Sequence, residues 1–561
     1  MTAFRPALRI ALAQLNPIVG DIGFNLARAR QARQQAAAEN ADIILFPELF
    51  LAGYSPEDLV LKPAFVTACR TACEDLARDT IDGGPAVLIG VPWLENGELY
   101  NAVALLDDGK LAGKSLKVDL PNYGVFDEKR VFATGPSPQP LIVRGVCIGV
   151  PICEDIWTPG PVAALKDAGA ELLLVPNGSP YRRTVDAERE AIARARVNES
   201  GLPLVYLNQI GGQDELVFDG ASFVLNSDGT RAVQMPAFRE AMTIIEAQHT
   251  AQGWHVVPQT LVQLERDEQA DYAACVLGLR DYVNKNRFPG VVLGLSGGVD
   301  SALVAAMAVD ALGAERVHCV MLPFRYTSSE SLNDAAACAK LLGVRYDILP
   351  IAPAVEGFEA ALAPLFAGMQ RDTTEENLQS RARGTILMAI SNKFGAMVLT
   401  TGNKSEVGVG YATLYGDMNG GFNPLKDLYK TEVFKLCTLR NHWKPESAMG
   451  PDGMAIPERI ITKVPTAELR ENQTDQDSLP PYEVLDDILH ALVEEELSLA
   501  AIVARGHDAQ IVQKVQRLLY IAEYKRRQSA PGVKVTRQNF GRDRRYPITN
   551  GFRDTLEPNS K

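Results

Sequence analysis

The stretch Leu293-Gly-Leu-Ser-Gly-Gly-Val-Asp-Ser-Ala-Leu303 gathers residue types that can hold a phosphate chain. An apolar β run (Val291, Val292, Leu293) passes through Gly294 and Leu295 into Ser296, Gly297, Gly298, Val299, Asp300 and Ser301, after which Ala302, Leu303, Val304 and Met307 follow a helical pattern. Two glycines let backbone N–H groups curl around an anion with no Cβ in the way. The start of the helix adds its positive dipole end. Ser296 and Ser301 offer hydroxyls, and Asp300 can hold a cation that neutralises phosphate. The loop reads as a pyrophosphate cradle, which puts ATP in the chemistry. It is not a Walker A loop, which needs G-x-x-x-x-G-K-[ST] with a lysine reaching the phosphates. A near-match at Gly109-Lys-Leu-Ala-Gly-Lys-Ser115 has its glycines one residue too close. It also follows Asp107-Asp108, a turn signal between two short strands.

A second group of reactive residues lies in the first half. Glu48 ends the buried run Ile43-Ile-Leu-Phe-Pro-Glu48, Lys117 lies in Gly113-Lys-Ser-Leu-Lys117, and Cys153 lies in Gly149-Val-Pro-Ile-Cys153-Glu-Asp155. Each alone has an ordinary reading: a small core thiol, a turn carboxylate, a solvated lysine. Together they occupy strand ends, where function concentrates. Residues 1–248 contain no histidine, so no Cys–His pair can form there.

The elements that must position these groups follow from periodicity. Over the first 245 residues short β runs alternate with amphipathic helices. The strands are expected near 9–15, 43–46, 87–90, 101–107, 145–151, 171–176 and 204–208, with helices over 24–40 and 187–199. Residues 246–268 are polar and lose the periodicity, which predicts a connector. From 269 onward helix and strand alternate strictly: helix 271–287, strand 291–295, helix 301–312, strand 317–322, helix 329–342, strand 345–349. That order predicts a doubly wound parallel α/β sheet. A mainly helical region, 482–527, ends in a basic tail with Lys525, Arg526, Arg527, Lys534, Arg537, Arg542, Arg544 and Arg545. The tail reads either as a solvated end or as a flap over an acidic dinucleotide.

At 561 residues the chain is too long for one core. Its net charge of −13 argues against general nucleic-acid binding. Eight scattered cysteines without a C-x-x-C pair indicate neither zinc nor a disulfide framework. Cys69 and Cys73, four apart in a helical pattern, read as packing residues. No signal peptide and no membrane-length apolar run is recognisable, so the cytoplasm is the expected compartment.

The loop Ser296–Ser301 resembles that of the ATP pyrophosphatases, which split ATP to AMP and pyrophosphate to activate a substrate. Glu48, Lys117 and Cys153, in that order and context, resemble the Glu-Lys-Cys triad of the nitrilase (carbon–nitrogen hydrolase) superfamily. In that chemistry Glu48 takes the thiol proton, Cys153 attacks an amide carbon and Lys117 faces the oxyanion. Glu128 is the expected auxiliary carboxylate. An amide-cleaving domain joined to an ATP-cleaving one implies that ammonia freed from glutamine is passed to an adenylylated carboxylate. Over nearly its whole length the chain resembles the glutamine-dependent NAD synthetases. Further matches lie at Leu120-Pro-Asn-Tyr-Gly-Val-Phe-Asp-Glu128, Thr374-Glu-Glu-Asn-Leu-Gln379, Thr400-Thr-Gly-Asn-Lys-Ser-Glu406, Gly410-Tyr-Ala-Thr-Leu-Tyr-Gly-Asp417, Asn423-Pro-Leu-Lys-Asp427 and Glu523-Tyr-Lys-Arg-Arg-Gln528.

The resemblance implies a nitrilase-like α-β-β-α sandwich over 1–245 and a synthetase domain over 269–561. It implies deamido-NAD, ATP and glutamine as substrates, Mg²⁺ acting with ATP, and no tightly bound organic cofactor. Neither nucleic acid nor a membrane is an expected partner, and a homo-oligomer formed through the synthetase domain is. Residue by residue, Gly294 to Ser301 and Thr401 are expected at ATP, and Asp300 and Glu406 at the metal. Asn377, Glu406 and Lys525 are expected at deamido-NAD, and Tyr123 and Ser179 at glutamine. The family's basic residue six positions after the serine of N-x-S-P is Val185 here, so Arg182 or Arg183 becomes the candidate for that charge. Guanylate- and asparagine-forming amidotransferases share a similar phosphate loop. The first need a glutaminase histidine, and the second an N-terminal cysteine where this chain has Thr2. A plain amidase with a degenerate ATP-fold module is the other competitor, against which the intact loop and Glu406 speak.

Overall fold

Leu8, Ile10 and Leu12 enter one core from the first strand, while Ala11 and Ala13 enter another on its opposite face, all fully buried. Such a strand needs both faces of its sheet covered. The computed structural model describes residues 7–471 and 473–555. The chain divides into two compact units, Met1–Glu265 and Arg266–Lys561.

The first unit opens with β1 (Ala7–Gln14), α1 (Ile22–Ala38), β2 (Ile43–Leu45), α2 (Pro63–Asp79), β3 (Ala86–Glu95), β4 (Glu98–Asp107) and β5 (Lys110–Leu116). It continues through β6 (Leu141–Val143), β7 (Val146–Gly149), α3 (Gly160–Asp167), β8 (Leu172–Asn177), α4 (Val185–Ser200) and β9 (Leu204–Asn208). It ends with β10 (Ile210–Gln213), β11 (Leu216–Asp219), β12 (Phe223–Leu225), β13 (Arg231–Gln234), β14 (Ala241–Thr250) and β15 (Gly253–Val256). One sheet has the order β15-β14-β1-β2-β3-β4-β5 and the other β13-β12-β9-β8-β7-β6. Between them Ile10, Leu45 and Leu88 pack with Ile148, Leu174 and Val205. The outer face of the first sheet covers Ala29 and Ala32 of α1 and Cys69, Cys73 and Leu76 of α2. The outer face of the second covers Val162 and Leu165 of α3 and Ala193 and Val197 of α4. The layers are therefore α-β-β-α.

Two sequence features resolve differently from one another. Residues 246–256, read above as the start of a connector, complete the first sheet instead. β1 pairs antiparallel with β14, and β14 with β15. Near the sheet edge Ile245 and Ala247 face the core while Gln248 is exposed, so the strand alternates and shows little net hydrophobicity. Gly109–Ser115, in contrast, forms the hairpin its turn signal predicts. Asp108 and Gly109 take positive φ (+52° and +73°) between the antiparallel β4 and β5.

In the second unit α5 (Glu268–Lys285), β16 (Val291–Gly294), α6 (Val299–Leu312), β17 (Val317–Met321), α7 (Ser329–Leu342) and β18 (Arg345–Ile348) alternate as expected. After them come α8 (Ala352–Leu362), α9 (Thr373–Phe394), β19 (Met397–Val398), α10 (Lys404–Val409) and α11 (Lys430–Arg440). The sheet is parallel with the order β18-β17-β16-β19. The chain steps from β16 to β17 and β18, then returns to the other side of β16. Ligands of such folds bind outside the carboxyl ends of the strands at this reversal, and Ser296–Ser301 leaves β16 there. Helices at Tyr482–Val493, Leu499–Ala504 and Ala509–Ile521 build a further core around Leu485, Leu489, Val512 and Leu519. The basic tail is partly folded in: Lys534 pairs with Asp543 (2.8 Å) and Arg544 with Glu523 (2.9 Å), all four side chains being buried.

Candidate active sites

In the first unit three strand ends converge. Glu48 follows β2, and the backbone turns there with Leu49 at φ +47°. The turn fits because β3 carries glycine beneath it: a Cβ on Gly90 would lie 2.1 Å from Leu49 N and 2.7 Å from Glu48 C. Lys117 follows β5, and its Nζ donates to Glu48 Oε1 (2.7 Å) and to Glu128 Oε1 and Oε2 (3.0 and 2.9 Å). Asn101 Nδ2 donates to Glu48 Oε1 (2.7 Å) and Gly178 N to Glu48 Oε2 (2.9 Å). Tyr54 Oη donates to Glu128 Oε1 (2.8 Å). Cys153 opens the turn after β7, buried and at φ +45°. Asp155 ties that turn to the Lys117 segment. Its Oδ1 accepts from Val118 N (2.9 Å) and Asp119 N (2.8 Å), its Oδ2 from Ile152 N (2.8 Å).

Electrostatics assign distinct states to these groups. Burial first, and the Glu48 charge second, push the Cys153 thiol well above its ordinary value, against the pull of Lys117. Cys153 is thus a protonated thiol, which would have to pass its proton on in order to attack as a nucleophile. Burial works against the Lys117 ammonium, but Glu128 and Glu48 outweigh it and hold its pKa well above the usual lysine range. Burial also raises Glu128. Lys117 is accordingly a fixed positive charge, and Glu48 is oriented by three donors.

The residues expected at glutamine are placed less uniformly. Tyr123 is 53% exposed, and its hydroxyl meets Glu154 Oε1 and Oε2 at 3.1 Å. Ser179 Oγ accepts from Arg189 Nε (3.0 Å). Val185 is buried at the first position of α4. Arg182 is paired with Glu188. The buried cation beside Ser179 is Arg189, held by both oxygens of Asp219 at 2.9 Å.

The second unit has a cavity of about 780 Å³ at the switch point. Gly294, Leu295, Ser296, Gly298, Val299, Asp300, Ser301, Thr401, Asn377, Glu406 and Lys525 all line it. Gly297 does not; its φ of +82° carries the loop past Ser331, whose carbonyl oxygen would lie 2.4 Å from a Cβ. Ser296 Oγ and Ser301 Oγ stand 3.1 Å apart, and Ser301 Oγ donates to Gly298 O (3.1 Å). Gly298 caps α6 without a side chain, which leaves the first-turn N–H groups facing the anion position. Asp300 and Glu406 meet at one cation, Lys430, which contacts Asp300 Oδ2 and lies 3.1 Å from Glu406 Oε1. Burial raises Glu406 to about 7 despite Lys430. Asn403 Nδ2 donates to Asp300 Oδ1 (2.8 Å). Asn377 Oδ1 accepts from Thr413 (2.9 Å), and Lys525 Nζ donates to the carbonyls of Gly410 and Ala412 (2.8 and 2.7 Å).

Sequence reasoning missed Tyr54, Asn101, Asp155, Arg189, Asn403 and Lys430. Only Asn403 carried a usable local signal: it stands three residues before Glu406 and caps α10, accepting from Glu406 N at 3.0 Å.

Comparison with known proteins agrees with this division. Residues 9–256 match the carbon-nitrogen hydrolase family and residues 271–529 the NAD synthase family. The chain is 56% identical over 546 residues to the glutamine-dependent NAD(+) synthetase of Rhodobacter capsulatus, covering 97% of this chain and 99% of that one. It is 50% identical to the one from Xanthomonas campestris pv. campestris, over 97% and 98% of the two chains. A solved structure of glutamine-dependent NAD+ synthetase from Acinetobacter baumannii, in complex with adenosine diphosphate, superposes with a TM-score of 0.77. It shares 44% identity and covers 98% of this chain and 100% of that one.

Proposed function

The chain belongs to the glutamine-dependent NAD(+) synthetases, and from that premise we propose how its two units divide one synthesis. The unit Met1–Glu265 releases ammonia from glutamine, and the unit Arg266–Lys561 amidates deamido-NAD at the expense of ATP. The observation that carries this reading is that a buried Glu48–Lys117–Glu128 cluster beside a cysteine and a phosphate loop at a strand reversal occur in one chain.

In the first reaction Cys153 Sγ attacks the glutamine amide carbon as its proton moves to Glu48. Lys117 has three N–H bonds; one goes to Glu48 and one can bridge the two Glu128 oxygens. The third remains for the oxyanion. Ammonia departs with the proton carried by Glu48, leaving a thioester on Cys153. Glu48 then activates water, which releases glutamate. Tyr123, Glu154 and Ser179 are the groups we place around the glutamine side chain and its α-substituents, with Arg189 fixing Ser179.

In the second reaction the nicotinate carboxylate of deamido-NAD attacks ATP, and ammonia displaces AMP from the adenylate. Ser296 to Ser301 and Thr401 are placed at ATP, and Asn377, Glu406 and Lys525 at deamido-NAD. Asp300 and Glu406 suit Mg²⁺, since two hard carboxylates already converge on one positive charge and such ions take their remaining ligands from phosphate and water. Bound there, the ion supplies charge neutralisation for departing pyrophosphate. We further propose assembly through the second unit. Only Gln379, Ser380, Ala382 and Gly384 of the 22-residue α9 are buried, while Met388 and Phe394 are exposed. No helix among the described residues is long and apolar enough to cross a membrane, and all eight cysteines are free. The free thiols support a cytoplasmic setting.

The test is product analysis with deamido-NAD, ATP and Mg²⁺, supplying either glutamine or ammonium. NAD, AMP and pyrophosphate are expected with both, and glutamate with glutamine alone. Absence of AMP with deamido-NAD present would reject the reading. Light scattering checks the assembly.

A further inference from the structure

The cavity of the second unit contains one arginine whose hydrogen bonds the protein does not complete. The other cations along its wall are engaged. Lys430 lies between Asp300 and Glu406, and Lys463 contacts Ser331 and Glu468. Arg470 pairs with Asp477, and Lys525 donates to two carbonyls. Arg383 donates from Nε to the Leu322 carbonyl at 3.0 Å, and neither terminal nitrogen meets an acceptor among the described residues. Burial outweighs the attraction of Glu468 and Asp417 and lowers its pKa to about 10, so it stays charged at neutral pH. Its four terminal N–H bonds therefore open on the cavity rather than on protein. An anion that arrives with substrate would complete them.

The backbone indicates which anion. Gly294 of β16 is paired with Val320 of β17, so two residues further on Leu322 stands level with Ser296, where the phosphate loop begins. Arg383 is therefore anchored on the strand beside that loop. Its helix is held close as well: a Cβ on Gly384 would lie 2.6 Å from Gly416 O. A loop that serves, with Asp300 and Lys430, the phosphates that leave would leave the phosphate that stays to a separate cation.

We propose that Arg383 binds the α-phosphate of ATP through its terminal N–H groups and keeps hold of it through adenylylation; this rests on the ATP-cleaving role given above. In that step a carboxylate oxygen of the nicotinate forms a bond to the α-phosphorus. The bridging bond from that phosphorus to the pyrophosphate oxygen breaks, and its electron pair leaves with pyrophosphate. The two non-bridging α-oxygens gain charge while five oxygens surround phosphorus. A planar guanidinium aimed at both is strongest at that moment. The acyl adenylate and AMP keep the same phosphate, so Arg383 retains its partner until AMP leaves.

AMP and adenosine differ only by this phosphate, which gives a direct test on the full chain by calorimetric titration. The wild-type protein is expected to bind AMP more tightly than adenosine. Arg383→Met should weaken AMP by about ten- to a hundredfold and leave adenosine within about twofold. Arg383→Lys should recover part of the loss. In ammonia-supported synthesis kcat should fall along with kcat/KM for ATP. The Met variant should unfold within a few degrees of wild type, because the protein holds this arginine by a single hydrogen bond to Leu322; a merely structural arginine would lower the midpoint further. The proposal is overturned if AMP and adenosine weaken together, if AMP binding is unchanged, or if wild type does not prefer AMP. It is also overturned if deamido-NAD binding alone is lost. A wild-type protein that forms no AMP from ATP and deamido-NAD would instead sink the underlying reading.

Discussion

Lys117 Nζ lies 2.7 Å from Glu48 Oε1, and neither side chain reaches solvent. The ammonium also holds Glu128, so removing it strands two buried carboxylates. Lys117→Met is expected to destabilise the first unit by about 3–5 kcal/mol and to abolish glutamine hydrolysis. Denaturant unfolding followed by tryptophan fluorescence checks the first part, since Trp93, Trp157 and Trp254 lie in this unit and only Trp443 in the other. A stable but inactive variant would mean that the ammonium serves chemistry alone.

Cys153→Ala separates the two reactions with little structural change. Glutamine-supported NAD formation should fall by about a thousandfold or more, while ammonia-supported formation stays within about twofold. Loss of both would show that the division of labour between the units is wrong.

Gly90 leaves room for the turn that positions Glu48. The 2.1 Å approach to Leu49 N is backbone against backbone, so no side chain can swing away. Gly90→Ala should cost about 1–3 kcal/mol or more, displace the Glu48 turn and lower glutamine hydrolysis. Ammonia-supported synthesis should survive, and the ratio of the two rates is the readout. An unchanged ratio would show that the Glu48 turn tolerates the shift.

Asp300→Asn acts at activation and should remove synthesis with either nitrogen source by about a hundredfold or more. Release of AMP from ATP in the presence of deamido-NAD measures this step. Retained AMP release with ammonia would contradict the role given to Asp300.

What could be read from the sequence was local. The run Val291–Leu295, the glycines of the loop and the helical spacing after Ser301 lie within a dozen residues, so strand, loop and helix announce one another. Glu48, Lys117 and Cys153 were legible through resemblance and their positions at strand ends. Lys430 was not, because it reaches Asp300 across 130 residues by way of α11. Asn101 faces Glu48 only because β4 lies antiparallel beside β3. Arg189 stood on a helix rich in Arg and Glu, where nothing local set it apart from its solvated neighbours. β14 and β15 hid behind an edge-like alternation that needs β1 to be recognised as sheet.

Asp155 gives a pH dependence whose sign can be stated in advance. Burial raises its carboxyl from 3.8 to about 7, although the N–H groups of Asp119, Ile152 and Val118 favour the ionised form. Between those values the folded chain keeps a proton that the unfolded chain has released. The stabilising contribution is therefore complete below about pH 4 and is lost as pH rises through the folded-state value. Its size is at most about 4 kcal/mol, from roughly three pKa steps of about 1.4 kcal/mol each. Asp155→Asn cannot titrate, and its amide nitrogen meets Ile152 N–H donor to donor. The unfolding free energy of wild type minus variant should therefore decline from pH 4 to pH 7 and level off above. Denaturant titrations of both proteins across that range measure the difference. A flat difference would mean that the three backbone donors overcome burial and keep Asp155 ionised, holding the Lys117 and Cys153 segments together as a carboxylate throughout.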